Sequence, residues 1–390
     1  MSRRGFSLIE LMIALGITSV VVAGISIVLL KQSQASVKMN QQRTLEETGR
    51  QALLEIAYAV RMAGSGIEPT AAFDFDHYAC TTPGTPNSCN SNPGRDTPPT
   101  PASPGPRDRT DGPDELVLSY RDPTFFRTVQ ALSPVGASGP YTVTLNAALT
   151  TSIKQGRIAM LLCSGADPVA YLAFAADAAP NDTTVTLRTL GDSDGYYPKT
   201  GATDACFTKA SLTLVERVRY FIANDFDKVP ALFRDRGRTG DPQVLYRGIE
   251  DLQLAYRIGA PPAGSTVSPA PAAPTCVDAT RGADGWIFGI CNQGTPLETA
   301  AAPDWINDGY DSARRYTAHP ANIRAVQINL VARATQDSPD AAGDRAPALA
   351  NHVAPALDQP GKKYVRSVLS ITEQTPNLLA RTRLMPGANK

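Results

Sequence analysis

Apolar and polar positions follow three regimes along the chain. From Phe6 to Leu30 the residues are apolar or small, and the only charge is one carboxylate, Glu10. As an α-helix those residues would be roughly 37 Å long, enough to cross a bilayer core of about 30 Å. From Lys31 to Ala63 there is no proline, and Leu45, Ala52, Leu53, Ile56, Val60 and Ala63 recur at helical spacing among charged and polar residues. Gly64-Ser-Gly66 follows, a helix-ending signal. The pattern predicts one helix over 6–63 of roughly 87 Å, its first half fit to span a membrane and its second half amphipathic.

After Ile67 the periodicity becomes that of strands separated by turns. The expected strands are 115–120, 141–146, 157–163, 169–174, 184–190, 212–222, 244–258, 323–334 and 364–372. Several alternate polar with apolar, as in Leu212-Thr-Leu-Val-Glu-Arg-Val-Arg-Tyr, which predicts antiparallel sheet with one wet and one packed face. No strand is followed by a crossover helix, so a doubly wound fold is not expected. The fold class is α+β: a long N-terminal helix packed on a mainly antiparallel, β-rich body over 64–390. Residues 81–114 and 259–274 are rich in Pro, Gly, Ser and Ala and read as surface insertions.

Glu10 gives the start of the chain its chemistry. A carboxylate inside a membrane span is costly unless paired. It lies four residues after Phe6, so the amine exposed by cutting between Gly5 and Phe6 would be about one helical turn away, in the same or a neighbouring subunit. A secretory signal peptide ending at Ser33-Gln-Ala35 is the plainer alternative, but its apolar region would exceed the usual 7–15 residues and would contain an acid. Arg3 and Arg4 favour a cytoplasmic N-terminus, with the rest of the chain translocated.

Composition adds two constraints. Lys+Arg and Asp+Glu are both 37, so no global basic field attracts nucleic acid. Six cysteines, at 80, 89, 163, 206, 276 and 291, form no C-x-x-C pair, and in an exported body they read as disulfides rather than a zinc site. Of the fifteen possible connectivities, nearest-neighbour pairing (Cys80–Cys89, Cys163–Cys206, Cys276–Cys291) is preferred, since each pair brackets one loop-rich stretch.

The Gly5-Phe6 junction, Phe6-Ser-Leu-Ile-Glu10 and the apolar run after it resemble the N-terminus of type IV pilins and type II secretion pseudopilins. The resemblance implies that residues 1–5 are a leader removed by a prepilin peptidase, that Phe6 becomes an N-methylated mature terminus, and that Glu10 neutralises a neighbour's terminus during assembly. It also implies a lollipop shape, with 6–30 as the transmembrane part of the helix. Many pilins carry a proline where this chain has Ile27, so local melting of the helix would fall to Gly24 instead.

Asp114-Glu-Leu-Val-Leu-Ser-Tyr, the stretch from Leu212, Val244-Leu-Tyr-Arg-Gly-Ile-Glu-Asp and Ile323-Arg-Ala-Val-Gln-Ile occur in an order similar to PilW-type minor pilins. A more distant similarity is to the J-type minor pseudopilin, and the Arg-Asn pair that often closes PilW-like chains is missing. The resemblance implies a minor pilin that primes assembly with other minor pilins near the tip and contacts the major pilin. It would reside in the bacterial inner membrane with its body in the periplasm, then in the surface pilus. Retention of Glu10 implies another subunit above it, because the topmost pseudopilin typically lacks the acid. The alternatives are a secretion pseudopilin, or a pilus-displayed adhesin or DNA-uptake module.

No catalytic motif is found, and neither enzyme activity nor a cofactor is expected. Asp192 and Asp194, in Gly191-Asp-Ser-Asp-Gly195, are the best metal candidates but bring too few oxygens for a calcium loop. They read as solvated turn carboxylates, as does Asn224-Asp-Phe-Asp227. Basic and aromatic residues at 217–220 and 314–316 have the chemistry to stack on single strands, yet read as solvated sheet faces, so nucleic acid is not an expected partner.

Overall fold

The structure is a computed structural model that describes residues 8–67, 72–73, 112–134, 140–163, 169–189, 206, 209–236, 242–258, 280–281, 286–288, 323–338, 341, 345–347 and 361–379. Helix α1 runs from Leu8 to Met62 without a break at Gly16, Gly24 or Ile27. Residues 8–40 are exposed on every side, whereas Leu45, Ala52, Leu53, Ile56, Val60 and Ala63 are buried. The change falls where the apolar positions take up helical spacing and the body begins to cover one face.

Two antiparallel sheets make the body. The first contains β1 (Leu116–Pro134), β2 (Tyr141–Leu145), β3 (Ile158–Cys163), β4 (Val169–Phe174), β5 (Thr184–Thr189), β6 (Ala210–Asn224), β7 (Pro230–Asp235) and β8 (Gln243–Arg247). Its order is β1-β2-β5-β4-β3-β6-β7-β8, and β6 also pairs with β1. Six strands therefore close into a ring, β1-β2-β5-β4-β3-β6, while β7 and β8 extend from β6 as an open flap.

Alternate residues fill the ring: Tyr141, Val143 and Leu145, then Ala159 and Leu161, Leu172 and Phe174, Val185 and Leu187, Leu212 and Leu214 form one buried cluster. A six-stranded barrel is narrow enough for side chains alone to fill it. The outer face of β3 and β4 is also covered, with Met160 and Tyr171 packed against Val215 and Ile67.

The second sheet is β10 (Thr280–Arg281), β11 (Trp286–Phe288), β9 (Ile249–Ile258), β12 (Ile323–Arg333) and β13 (Arg366–Gln374), in that spatial order. One face of β9 and β12 (Leu252, Leu254, Tyr256, Val326, Ile328, Leu330) packs against the buried stripe of α1. Gly49 permits the approach: a Cβ there would stand 2.5 Å from Leu369 Cδ1 and 3.4 Å from Ala332 Cβ. A short helix, α2 (Pro376–Leu379), closes the sheet.

The structure corrects the strand reading at five places. The expected strand over 244–258 is two strands in different sheets. Gly248, at φ +81°, turns the chain from one to the other, donating its N–H to Pro230 O while its own carbonyl accepts from Arg333 N. A single strand cannot belong to both sheets without such a corner.

Strand β6 was expected to have one wet face, yet it is buried on both sides from Leu212 to Phe221, apart from nothing more than its ends. It is shared by two cores. Leu212 and Leu214 face the barrel interior, while Val218 and Tyr220 on the same side of the strand face α1. Strand β7 was missed because it starts on a proline and its apolar run is only Ala231-Leu-Phe233. Strand β1 continues beyond Tyr120, across an irregularity between Arg121 and Phe126 where Asp122 Oδ1 accepts from Thr124 N and Oγ1. The short β10 and β11 were also absent from the sequence reading.

Candidate assembly helix and its docking to the body

The described residues begin at Leu8, so Gly5 and Phe6 lie outside them. Glu10 lies on α1 and is exposed. The apolar half of α1 is the one helix among the described residues long and apolar enough to cross a membrane. Its hydroxyl side chains from Thr18 to Ser26 are satisfied within the helix. Thr18 Oγ1 donates to Ala14 O at 2.7 Å, Ser19 Oγ to Gly16 O at 2.8 Å and Ser26 Oγ to Val22 O at 2.8 Å. Such bonds let hydroxyls sit in hydrocarbon without an outside partner.

The amphipathic half is held by side chains as well as by its apolar stripe. Glu55 Oε1 accepts from Arg234 Nη1 at 2.7 Å and from Tyr220 Oη at 3.1 Å, tying α1 to β7 and β6. Burial, and after it the Glu55 charge, raises the Tyr220 phenol above the ordinary tyrosine range. Arg61 bonds Glu373 of β13 at 3.0 Å. Asn377 Nδ2 donates to Arg61 O at 2.7 Å, so α2 caps carbonyls that the end of α1 leaves open. Tyr220 lay in a stretch read for other chemistry, and Arg234, Glu373 and Asn377 were not singled out from sequence; each lies more than a hundred residues from α1.

Below these clamps a cleft of about 330 Å³ separates α1 from the body, with Val37, Gln41 and Thr44 on the helix side and Arg247, Arg333 and Gln336 opposite. The arginines are engaged. Arg247 bonds Asp225 and Asp227, each at 2.6 Å, which pushes its guanidinium pKa up. Arg333 and Arg366 share Glu250, at 3.2 and 2.6 Å, and Arg333 lies 4.0 Å over the Tyr364 ring.

The other candidate sites resolve differently. Asp225 and Asp227 hold a turn, with Asp225 buried rather than solvated: Asp225 Oδ1 accepts from Asp227 N and Val229 N, and Arg247 spans both carboxylates. Arg217 and Arg219, read as solvated sheet residues with some nucleic-acid chemistry, are buried, and Arg219 makes a forked pair with Glu115 at 2.7 Å. Cys163 and Cys206 form a disulfide, with Cys206 inside the barrel cluster. Cys80, Cys89, Cys276, Cys291, Asp192, Asp194 and residues 314–316 lie outside the described residues.

Comparison with known proteins gives two family matches. Residues 1–26 match the prokaryotic N-terminal methylation motif. Residues 219–377 match the family described as Type IV Pilus-assembly protein W, a span running from the end of β6 to α2. No curated protein matches the chain. Among solved structures, a type IV-like pilin from Thermus thermophilus aligns over 58% of this chain and 87% of its own at 10% identity, with a TM-score of 0.17, too low to carry any argument. With a methylation motif at the head of its long apolar helix and a PilW-type region forming the sheet on which that helix docks, the chain is most like the type IV pilins of the PilW type.

Proposed function

We propose that the chain is a minor pilin that helps prime assembly of a type IV pilus, in a complex with other minor pilins near the tip. Residues 1–5 are the leader, 6–63 the assembly helix with its transmembrane part at 6–30, and 64–390 the body, which faces the periplasm before assembly. The carrying observation is the division of α1: residues 8–40 are exposed on all sides while 45–63 are fixed to the body. An apolar helix held out in this way needs either lipid or other apolar helices around it, and a pilus subunit passes from the first to the second.

In this reading the prepilin peptidase cuts after Gly5, Phe6 is methylated, and Glu10 pairs with a neighbour's N-terminus to set register. A body of 327 residues (64–390) carrying a closed barrel would crowd the surface if repeated along every turn, which supports a minor subunit. The PilW-type match supports the pilus over a secretion pseudopilus.

The test is processing and incorporation in cells. Gly5→Ala should retain the leader, and Glu10→Ala should be cleaved yet be depleted from sheared filaments. Mature-sized Gly5→Ala protein, or Glu10→Ala protein at parental levels in filaments, would remove the corresponding role.

A further inference from the structure

The turn between β6 and β7 holds an aromatic ring in solvent at the end of the body nearest the apolar half of α1. Phe226 is 89% exposed, the highest value for a large apolar side chain among the described residues. The turn that carries it is held by Asp225 Oδ1, which accepts from Asp227 N and Val229 N, and Arg247 ties down both flanking carboxylates with its guanidinium 5.6 Å from the ring. A ring fixed in water is organised for a partner outside the body.

Position indicates which partner. Arg247 shares the cleft with Val37 and Gln41 of α1, and β7 runs from Pro230, beside the turn, to Arg234 at Glu55. The turn is thus at the end of the hairpin that points toward the apolar segment. From Lys31 to Gln41 an α-helix rises about 15 Å, and the headgroup zone covers about 5–8 Å of that. Single spans tilt by about 0–40°, and a tilt toward the turn lowers it further.

Charge fits the same surface. Lys31, Lys38 and Arg43 are exposed on α1, with no acid between Lys31 and Leu45, and Lys228 follows on the turn itself. Aromatic and cationic side chains are those that settle at an anionic lipid surface.

We propose that before assembly the β6–β7 turn docks on the headgroups of the membrane that α1 spans, with Phe226 seated at the lipid surface and Lys228, Lys31 and Lys38 facing anionic phospholipid. This tilts the helix and holds the body against the bilayer. It rests on the membrane-anchored stage proposed above.

The full chain carrying Phe226→Trp is reconstituted in nanodiscs of phosphatidylcholine with or without phosphatidylglycerol, and the parental spectrum is subtracted to remove Trp286 and Trp305. The added emission should be blue-shifted in anionic discs and reduced roughly twofold by lipids brominated near the headgroup. Lys228→Glu, on the same background, should weaken both effects. Water-like, unquenched emission from an inserted chain would overturn this docking and leave the pilin reading intact. Failure of the chain to insert at all would overturn both. Protection that arises only when other pilin subunits are added would assign Phe226 to a protein contact and also overturn the lipid assignment.

Discussion

Gly248 shows how much one residue settles. A Cβ there would stand 2.5 Å from the Arg333 carbonyl oxygen, and the positive φ disfavours any L side chain besides. Gly156 has nearly the same φ, +82°, but nothing within 4 Å of a Cβ. Gly248→Ala should therefore cost more than Gly156→Ala: about 1–2 kcal/mol for backbone conformation in both, with about 1–3 kcal/mol of overpacking added at 248. Thermal unfolding of both variants checks this, and equal losses would mean that the corner relaxes freely.

Tyr220 makes a second test at the same scale. Its raised pKa means that the folded chain keeps a proton which the unfolded chain gives up above about pH 10. The stabilising effect is whole below pH 10 and declines as pH climbs toward the folded pKa. Melting temperature should thus fall more steeply from about pH 10 to 12 in the parent than in Tyr220→Phe. Parallel curves would show that the buried phenol has no such effect.

Among the elements, what could be read from sequence divides by the range of the interactions. Helix α1 was legible nearly to the residue because its period is local: all six predicted stripe residues are buried. Strands β2 and β5 were legible as well, alternating between turns, and β4 was legible as a short continuous apolar run. The β8–β9 corner was not, since Val244–Ile258 reads as one continuous strand and only pairing with β7 on one side and β12 on the other divides it.

Two-sided burial of β6 was hidden for the same reason. Its Thr, Glu and Arg residues imitate a wet face, but Thr213 Oγ1 donates to Met160 O, Glu216 meets Arg157 and Arg219 meets Glu115. Polarity in a sequence marks a need for partners, which water and protein both satisfy. At the assembly end, the residues with proposed roles were legible as a motif, whereas the clamps Glu55–Arg234, Arg61–Glu373 and Asn377 depend on folding over distances sequence spacing does not encode.

For the whole molecule, the two cores meet at a polar layer. Along β6 the inward residues change from Leu212 and Leu214, in the barrel, to Val218 and Tyr220, under α1; Glu216 stands between them. It bonds Arg157, which closes the end of the barrel, and Asp122 is 3.9 Å from the same guanidinium. All three are nearly buried.

Arg157→Met should cost about 3–5 kcal/mol, because it strands buried carboxylates, while adding Glu216→Leu should recover part of that loss. Denaturant unfolding of the single and double variants would decide it. A double variant as unstable as the sum of its parts would mean that the pair is not coupled. The PilW-type match covers the sheet under α1 and stops short of most of the barrel, so this layer is also the seam between the matched region and the unmatched one.

The cap from Asn377 and the bed provided by β13 have a consequence for biogenesis. The helix emerges first and its resting place last: Arg366 follows Met62 by 304 positions. At about 5–20 residues per second, ribosomes need about 15–60 s to bridge that interval. Until then the stripe from Leu45 to Ala63 lies on an incomplete bed, without β13 and the Asn377 cap, so a nascent subunit passes through a stage in which part of a greasy helical face is open to chaperones, proteases and premature self-association, and a chain cut short before β13 never leaves that stage.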